Sequence, residues 1–206
     1  IHCRYCFRRH FDYQSNTPSR EDWNNSLNYI RADPSIQEVI LSGGDPLALS
    51  DRQLLWLIQE LESISHLKIL RIHSRVPIVL PQRITPELIA ILNHSRFDVV
   101  MVVHCNHSQE ISDSVKQGIE ELRLSKVTLL NQSVILAGIN DNFDILKELS
   151  YALFSLSILP YYLHLPDKVM GTSHFSVPSD KAIRIINSLR KELPGYLVPT
   201  LVQEEH

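Results

Sequence analysis

Asp98-Val99-Val100-Met101-Val102-Val103-His104-Cys105-Asn106-His107 sets an unbroken apolar run against four residues that can do chemistry. A continuous Val-rich run of this length, with no polar alternation, is the pattern of a strand covered on both faces. The change of character falls at the C-terminal end. A strand over Asp98–His104 therefore delivers its polar residues to one edge of a sheet.

The same form recurs on either side of it. Glu38–Ser42, Lys68–His73, Thr128–Ile135, Leu159–Leu165 and Tyr196–Val202 read as further strands. Between them lie amphipathic runs with helix-start signals. Ser19-Arg20-Glu21-Asp22 is a capping-box-like opening, Ser50-Asp51 precedes the periodic run Leu54–Leu61, and Pro86 suits the first turn of Pro86–Leu92. Helices are also expected over Gln109–Leu124, Asp144–Leu156 and Ser179–Leu193. Strand–helix alternation on this rhythm implies a parallel sheet with helices outside it.

Pattern alone admits an open sheet or a barrel. The polar clusters favour the barrel. Gly43-Gly44-Asp45 follows the first strand, His73-Ser74-Arg75 ends the second, and His164 to Lys168 follow the fifth. All sit at strand C-termini, the face on which α/β barrels carry their chemistry. The expected architecture is one α/β domain over residues 1–206, a partial six-unit barrel.

Composition narrows the function classes. A net charge of -3 at 206 residues carries no basic excess of the kind nucleic acid demands. Apolar stretches such as Val99–Val103 are too short to span a bilayer. No secretory signal opens the chain, so the cytoplasm is the expected compartment. Three cysteines are too few for a disulfide framework. The first residue is Ile1, and a C-x-x-C pair follows at once, so a fragment is expected.

That pair, Cys3-Arg4-Tyr5-Cys6, is compatible by spacing with zinc, a redox couple or part of an iron–sulfur site. His2 and His10 keep a zinc reading open. Leu41-Ser42-Gly43-Gly44-Asp45-Pro46-Leu47 is the second feature. Two glycines after a strand let backbone approach a ligand and offer N–H groups to its carboxylate or phosphate, while Asp45 adds an acceptor. The stretch matches neither the dinucleotide nor the P-loop fingerprint.

Taken together, Cys3–Arg9 (CRYCFRR), Leu41–Leu47, Arg75–Thr85 (RVPIVLPQRIT), Asn131–Val134 (NQSV) and Tyr161-Tyr162 resemble the radical S-adenosylmethionine (SAM) lysine 2,3-aminomutases. The resemblance is collinear along essentially the whole chain. Leu163–Gly171 with His174-Phe175 is similar to the branch linked to β-lysylation of elongation factor P. The resemblance implies conversion of (S)-α-lysine to (R)-β-lysine. It also implies a [4Fe-4S] cluster, SAM cleaved to a 5'-deoxyadenosyl radical, pyridoxal phosphate (PLP) carrying the migrating amino group, and a reductant protein. A homo-oligomer is expected from the family.

By that resemblance Cys3 and Cys6 are two of three cluster ligands, the first lying four residues before Cys3. Tyr5 packs near adenine, Gly43, Gly44 and Asp45 line the methionyl part of SAM, and Gln132 lies near its ribose. Arg8 falls where the family pairs an arginine with the substrate carboxylate, and Asp167 and Glu204 where two acids receive the distal ammonium. The family's PLP lysine lies beyond Glu204 and its first barrel strand precedes the cysteines. The 206-residue chain by itself is accordingly expected to be inactive. Two alternatives stand beside this reading: another radical SAM enzyme without PLP, and a zinc-binding domain without catalysis.

The remaining residues have plainer readings. Cys105 is expected as a buried strand-end thiol. His104 and His107 fit hydrogen-bonded strand-end histidines as well as SAM contacts. Arg75 and Arg83 fit either an anion or a neighbouring acid. Trp23 and Trp56 read as packing residues, and Lys168 as a solvated loop lysine.

Overall fold

A computed structural model describes residues 3–6, 19–167 and 169–203. Six strands form one all-parallel sheet in the order of the sequence: β1 (Glu38–Leu41), β2 (Ile69–Ser74), β3 (Asp98–Val103), β4 (Thr128–Val134), β5 (Leu159–His164) and β6 (Thr200–Val202). Right-handed crossovers in a sheet of strictly sequential order place every connecting helix on the same side. Among the described residues β6 does not pair back onto β1, so the sheet is an open, partial α/β barrel.

Seven helices run beside it: α1 (Arg20–Ala32), α2 (Asp51–Glu62), the single turn α3 (Val76–Val79), α4 (Pro86–His94), α5 (Asp113–Leu124), α6 (Phe143–Ser155) and α7 (Ser179–Glu192). Their starts are chemical. Ser19 and Asp22 close a full capping box, as do Ser50 and Gln53. Thr85 caps α4 with Pro86 in its first turn, and Asn142 accepts from Asp144 and Ile145 at the head of α6.

The core lies between the helices and one face of the sheet. Leu54, Leu57, Ile58 and Leu61 form the buried stripe of α2, at the i, i+3, i+4, i+7 spacing of a helix face. They belong to one cluster with Leu70 and Ile72 of β2, Met101 and Val103 of β3 and Leu129 of β4. Each such side chain, once buried, contributes about 1.5–3 kcal/mol. Strand alternation turns the other residues to the opposite, concave face: Arg71 and His73 on β2, and Leu130, Gln132 and Val134 on β4, are only half-buried. Trp23 and Trp56 pack against the core.

Most element ends fall within a residue or two of the sequence reading, and the larger differences have physical causes. The strand expected from Tyr196 begins at Thr200, because Gly195–Leu197 forms a 3-10 turn and Pro199 has no N–H to offer a ladder. The helix expected from Gln109 begins at Asp113, because Ser112 caps it and Ser108–Glu110 forms a separate 3-10 turn. The turn α3 has no counterpart in the sequence reading. It is set by the acceptors that Asp45 offers to its first N–H groups, a contact across 31 residues.

Candidate active site

The polar residues after the strands converge at the C-terminal end of the sheet. Gly43, at φ 110°, reverses the chain after β1 in the left-handed region that favours glycine. Beyond it Asp45 is held by four donors. Its Oδ1 accepts from Leu47 N (3.1 Å) and Ser74 Oγ (2.7 Å), and its Oδ2 from Arg75 N (2.8 Å) and Val76 N (3.3 Å). Asp45 thus caps the 3-10 turn Pro46–Ala48 and ties the Gly-Gly loop to the end of β2. Arg83 braces that loop from below, donating to the carbonyls of Leu47 (2.9 Å) and Leu49 (3.1 Å) and pairing with Asp51. Gly43 and Gly44 are exposed.

Cys3 and Cys6 lie on one turn, closed by Cys6 N donating to Cys3 O at 3.1 Å. Both thiols are free and half-buried. Tyr5 between them turns inward, its ring stacked on that of His104 at 5.8 Å and set edge-on to Phe175 at 6.3 Å. The Tyr5 hydroxyl lies 2.9 Å from His104 Nε2 and accepts from Asn106 Nδ2 at 2.7 Å. Arg75 also donates to that hydroxyl, and its guanidinium reaches Cys3 Sγ at 3.0 Å and Glu110 Oε2 at 2.9 Å.

Arg75 and Asn106 supply only N–H groups, so the Tyr5 O–H is left to His104 Nε2 or to the neighbouring Cys3 sulfur. Donated to His104, it calls for a neutral imidazole with its proton on Nδ1. The electrostatics agree. Burial first, then the nearby Arg75 and His164, push His104 down to about 3. Burial likewise lifts the Tyr5 phenol above its ordinary range against the pull of Arg75. His73, lower on the same face, is held down to about 4 by burial and then by Arg71, and its buried Nε2 has no hydrogen-bond partner among the described residues.

Buried amides hold this end of the sheet together. Asn106 takes Val134 N on its Oδ1 (2.9 Å), while its own backbone N donates to Glu110 Oε1 (2.7 Å). Asn140, fully buried, accepts from Leu136 N (2.7 Å) and donates to the carbonyls of Asn106 (2.9 Å) and Val134 (3.0 Å). Asn131 receives Cys105 N at 2.8 Å. Cys105 itself is wholly buried, and burial pushes its thiol up to about 12.

The sequence-derived candidates divide accordingly. Cys3, Tyr5, Cys6 and Asp45 are brought together through Arg75, and Gly43 and Gly44 border the same region. Gln132 is half-buried on the concave face, paired in register with Tyr162. Asp167 lies three residues past β5, its carbonyl accepting from Val169 N and Thr172 Oγ1. Arg8, Lys168 and Glu204 lie outside the described residues. Arg75 pairs with Glu110, one of the two roles open to it. Asn106 stood in the polar cluster after the third strand without an assigned role, and Glu110 and Asn140 were not anticipated; Asn140 lies six residues past β4, where sequence gives no signal.

Among the described residues no group of three or more His, Cys, Asp or Glu is arranged to hold a metal ion. Cys3 and Cys6 fit two ligands of a larger set. They share one turn, with the Arg75 cation against one sulfur, matching the negative charge of a thiolate-bound iron–sulfur cluster. Among the described residues no helix is long and apolar enough to cross a membrane.

No family model matches the chain. Its sequence is 51% identical over 204 residues to an L-lysine 2,3-aminomutase of Haemophilus influenzae, covering 99% of this chain and 60% of that protein. It is 48% identical over 204 residues, with the same coverage, to the L-lysine 2,3-aminomutase of Escherichia coli. That of Clostridium subterminale is 42% identical over 203 residues, covering 98% of this chain and 49% of that protein. A crystal structure of a domain of pyruvate-formate lyase-activating enzyme from Bacteroides vulgatus superposes with a TM-score of 0.55 at 13% identity. It covers 80% of this chain and 98% of that domain, and shows the fold alone. Over the roughly 60% of their length that it spans, the chain is a homologue of the L-lysine 2,3-aminomutases of H. influenzae and E. coli.

Proposed function

We propose that the chain carries the greater part of the catalytic core of a radical SAM, PLP-dependent lysine 2,3-aminomutase, which converts (S)-α-lysine to (R)-β-lysine. The observation that carries this is the 51% identity along 99% of the chain, together with the Cys3–Cys6 turn seated at the mouth of a partial barrel. When bound, a [4Fe-4S] cluster held in part by Cys3 and Cys6 would supply the electron for SAM cleavage, and PLP would supply a carrier for the migrating amino group.

The chain's own residues then have these tasks. Cys3 and Cys6 bind iron as thiolates, with a third cysteine that is not among the 206 residues of this sequence. The exposed Gly43 and Gly44 admit the methionyl part of SAM. Asp45 holds their loop at fixed distance from β2, so a ligand ammonium shares an acceptor that is already ordered. Tyr5 offers a ring face toward adenine and Gln132 a polar edge toward ribose. Arg8 receives the lysine carboxylate, and Asp167 with Glu204 the distal ammonium. PLP is assigned to no described residue. The neutral His104 holds the Tyr5 ring without adding a cation beside the cluster.

The physiological setting proposed is the cytoplasm, with a protein reductant, a homo-oligomeric enzyme and β-lysine destined for elongation factor P. Anaerobic reconstitution with iron and sulfide, on protein that also carries the third cluster cysteine and the PLP lysine, tests the reading. SAM cleavage that depends on lysine and yields β-lysine supports it. A cluster that cleaves SAM without regard to lysine points to another radical enzyme, and zinc without sulfide points to a structural metal site.

A further inference from the structure

We propose that Arg75 is the residue that positions the Cys3–Cys6 turn and sets the reduction potential of the cluster those thiolates hold; this rests on the radical-enzyme reading above. Arg75 is joined to three separate parts of the site at once. Its guanidinium donates to Cys3 Sγ (3.0 Å) and to the Tyr5 hydroxyl, and pairs with Glu110 at 2.9 Å. Its backbone N–H donates to Asp45 at 2.8 Å, within the Gly-Gly-Asp loop.

The arrangement is stiff. Glu110 is itself fixed through its other oxygen by the backbone N–H groups of Asn106 (2.7 Å) and His107 (3.1 Å). The two side chains are only 19% and 24% exposed, so water competes weakly for the pair. A planar fork with several N–H groups can face a sulfur, a hydroxyl and a carboxylate together; a lysine ammonium on a flexible stem cannot hold all three.

An N–H group aimed at a ligand sulfur, with a positive charge behind it, stabilises the more negative, reduced form of a cluster and raises its potential. The Cys3 sulfur receives both. Cys6 has no such guanidinium contact among the described hydrogen bonds. The two ligand sulfurs of the turn are therefore electronically unequal, and Arg75 makes the difference.

The test compares the unsubstituted protein with Arg75→Met, Arg75→Lys and Glu110→Gln. None of these removes the backbone bond to Asp45, so the Gly-Gly-Asp loop keeps its anchor. In the cluster-free protein, amide exchange of residues 3–6 is expected to quicken severalfold in Arg75→Met, with exchange in β2 to β4 unchanged. After anaerobic reconstitution, EPR-monitored reductive titration is expected to give a more negative midpoint for Arg75→Met. Arg75→Lys, which keeps the charge without the fork, and Glu110→Gln, which loosens the fork, should fall between. Unchanged exchange overturns the positioning role. An unchanged midpoint overturns the electronic one. If protein that carries all three cluster cysteines takes up no iron and sulfide, the radical-enzyme reading falls and the potential assignment with it, and the exchange experiment then decides the positioning role alone.

Discussion

The Tyr5 hydroxyl meets His104 Nε2 at 2.9 Å across 99 residues of sequence, beside an imidazole that burial and the Arg75 cation hold neutral. Two N–H donors already occupy the hydroxyl oxygen, so its proton is free to go to that imidazole. One phenol thereby couples the cysteine turn to the end of β3.

Stability should fall as pH drops from 7 to 5. His104 is held at about 3 in the folded chain against about 6.5 unfolded. Between those values the unfolded chain binds the extra proton, so unfolding is favoured as pH falls, and His73, held at about 4, adds the same sign. The expected slope from His104 is about 1 kcal/mol per pH unit, below the full 1.4 because part of the ring reaches solvent. Exposed carboxylates such as Asp22 and Asp33 are held below their usual range by hydrogen bonds from Ser19 and Ser35, so they titrate under this window. Urea midpoints at pH 7 and pH 5 measure the effect, and His104→Gln should flatten it.

Asn140→Ala should cost about 3 kcal/mol. The substitution strands the Leu136 N–H and takes a donor from two carbonyls in a fully buried place. A loss under 1 kcal/mol in chemical denaturation would show that water replaces the side chain.

Lys126→Gly and Ser157→Gly should each stabilise the chain by about 0.5–1 kcal/mol. Both residues sit just past a helix end at φ near +60°, Lys126 after α5 and Ser157 after α6. Glycine adopts that conformation without the Cβ penalty, which outweighs its greater unfolded-state freedom there. Thermal melts of the two single variants and the double variant check the sign and the additivity.

Cys105 should resist alkylation in the native chain. Its thiol is wholly buried and pushed up to about 12, so almost no thiolate exists at pH 8. Cys3 and Cys6 are half-buried and should react with iodoacetamide first. Peptide mapping after brief labelling separates the three, and early Cys105 labelling would contradict the packing described.

What the sequence determined by itself was the part governed by local chemistry. Strand–helix alternation, the capping residues at Ser19 and Ser50, Pro86 in the first turn of α4, and the buried stripe of α2 are set by neighbours a few residues away, and all are visible in the order of side chains. The candidate cysteines and the Gly-Gly-Asp loop were equally legible, because close backbone approach and thiol spacing leave a local signature. Tertiary structure alone decided how these parts meet. Nothing near Arg75 in sequence shows that it faces Cys3 and Tyr5, seventy residues away, or that Glu110 pairs with it. The start of α3 is of the same kind, dictated by Asp45 from the neighbouring strand end. A hydrogen bond between distant residues is set by the three-dimensional path of the parallel sheet, and one-dimensional spacing does not encode it.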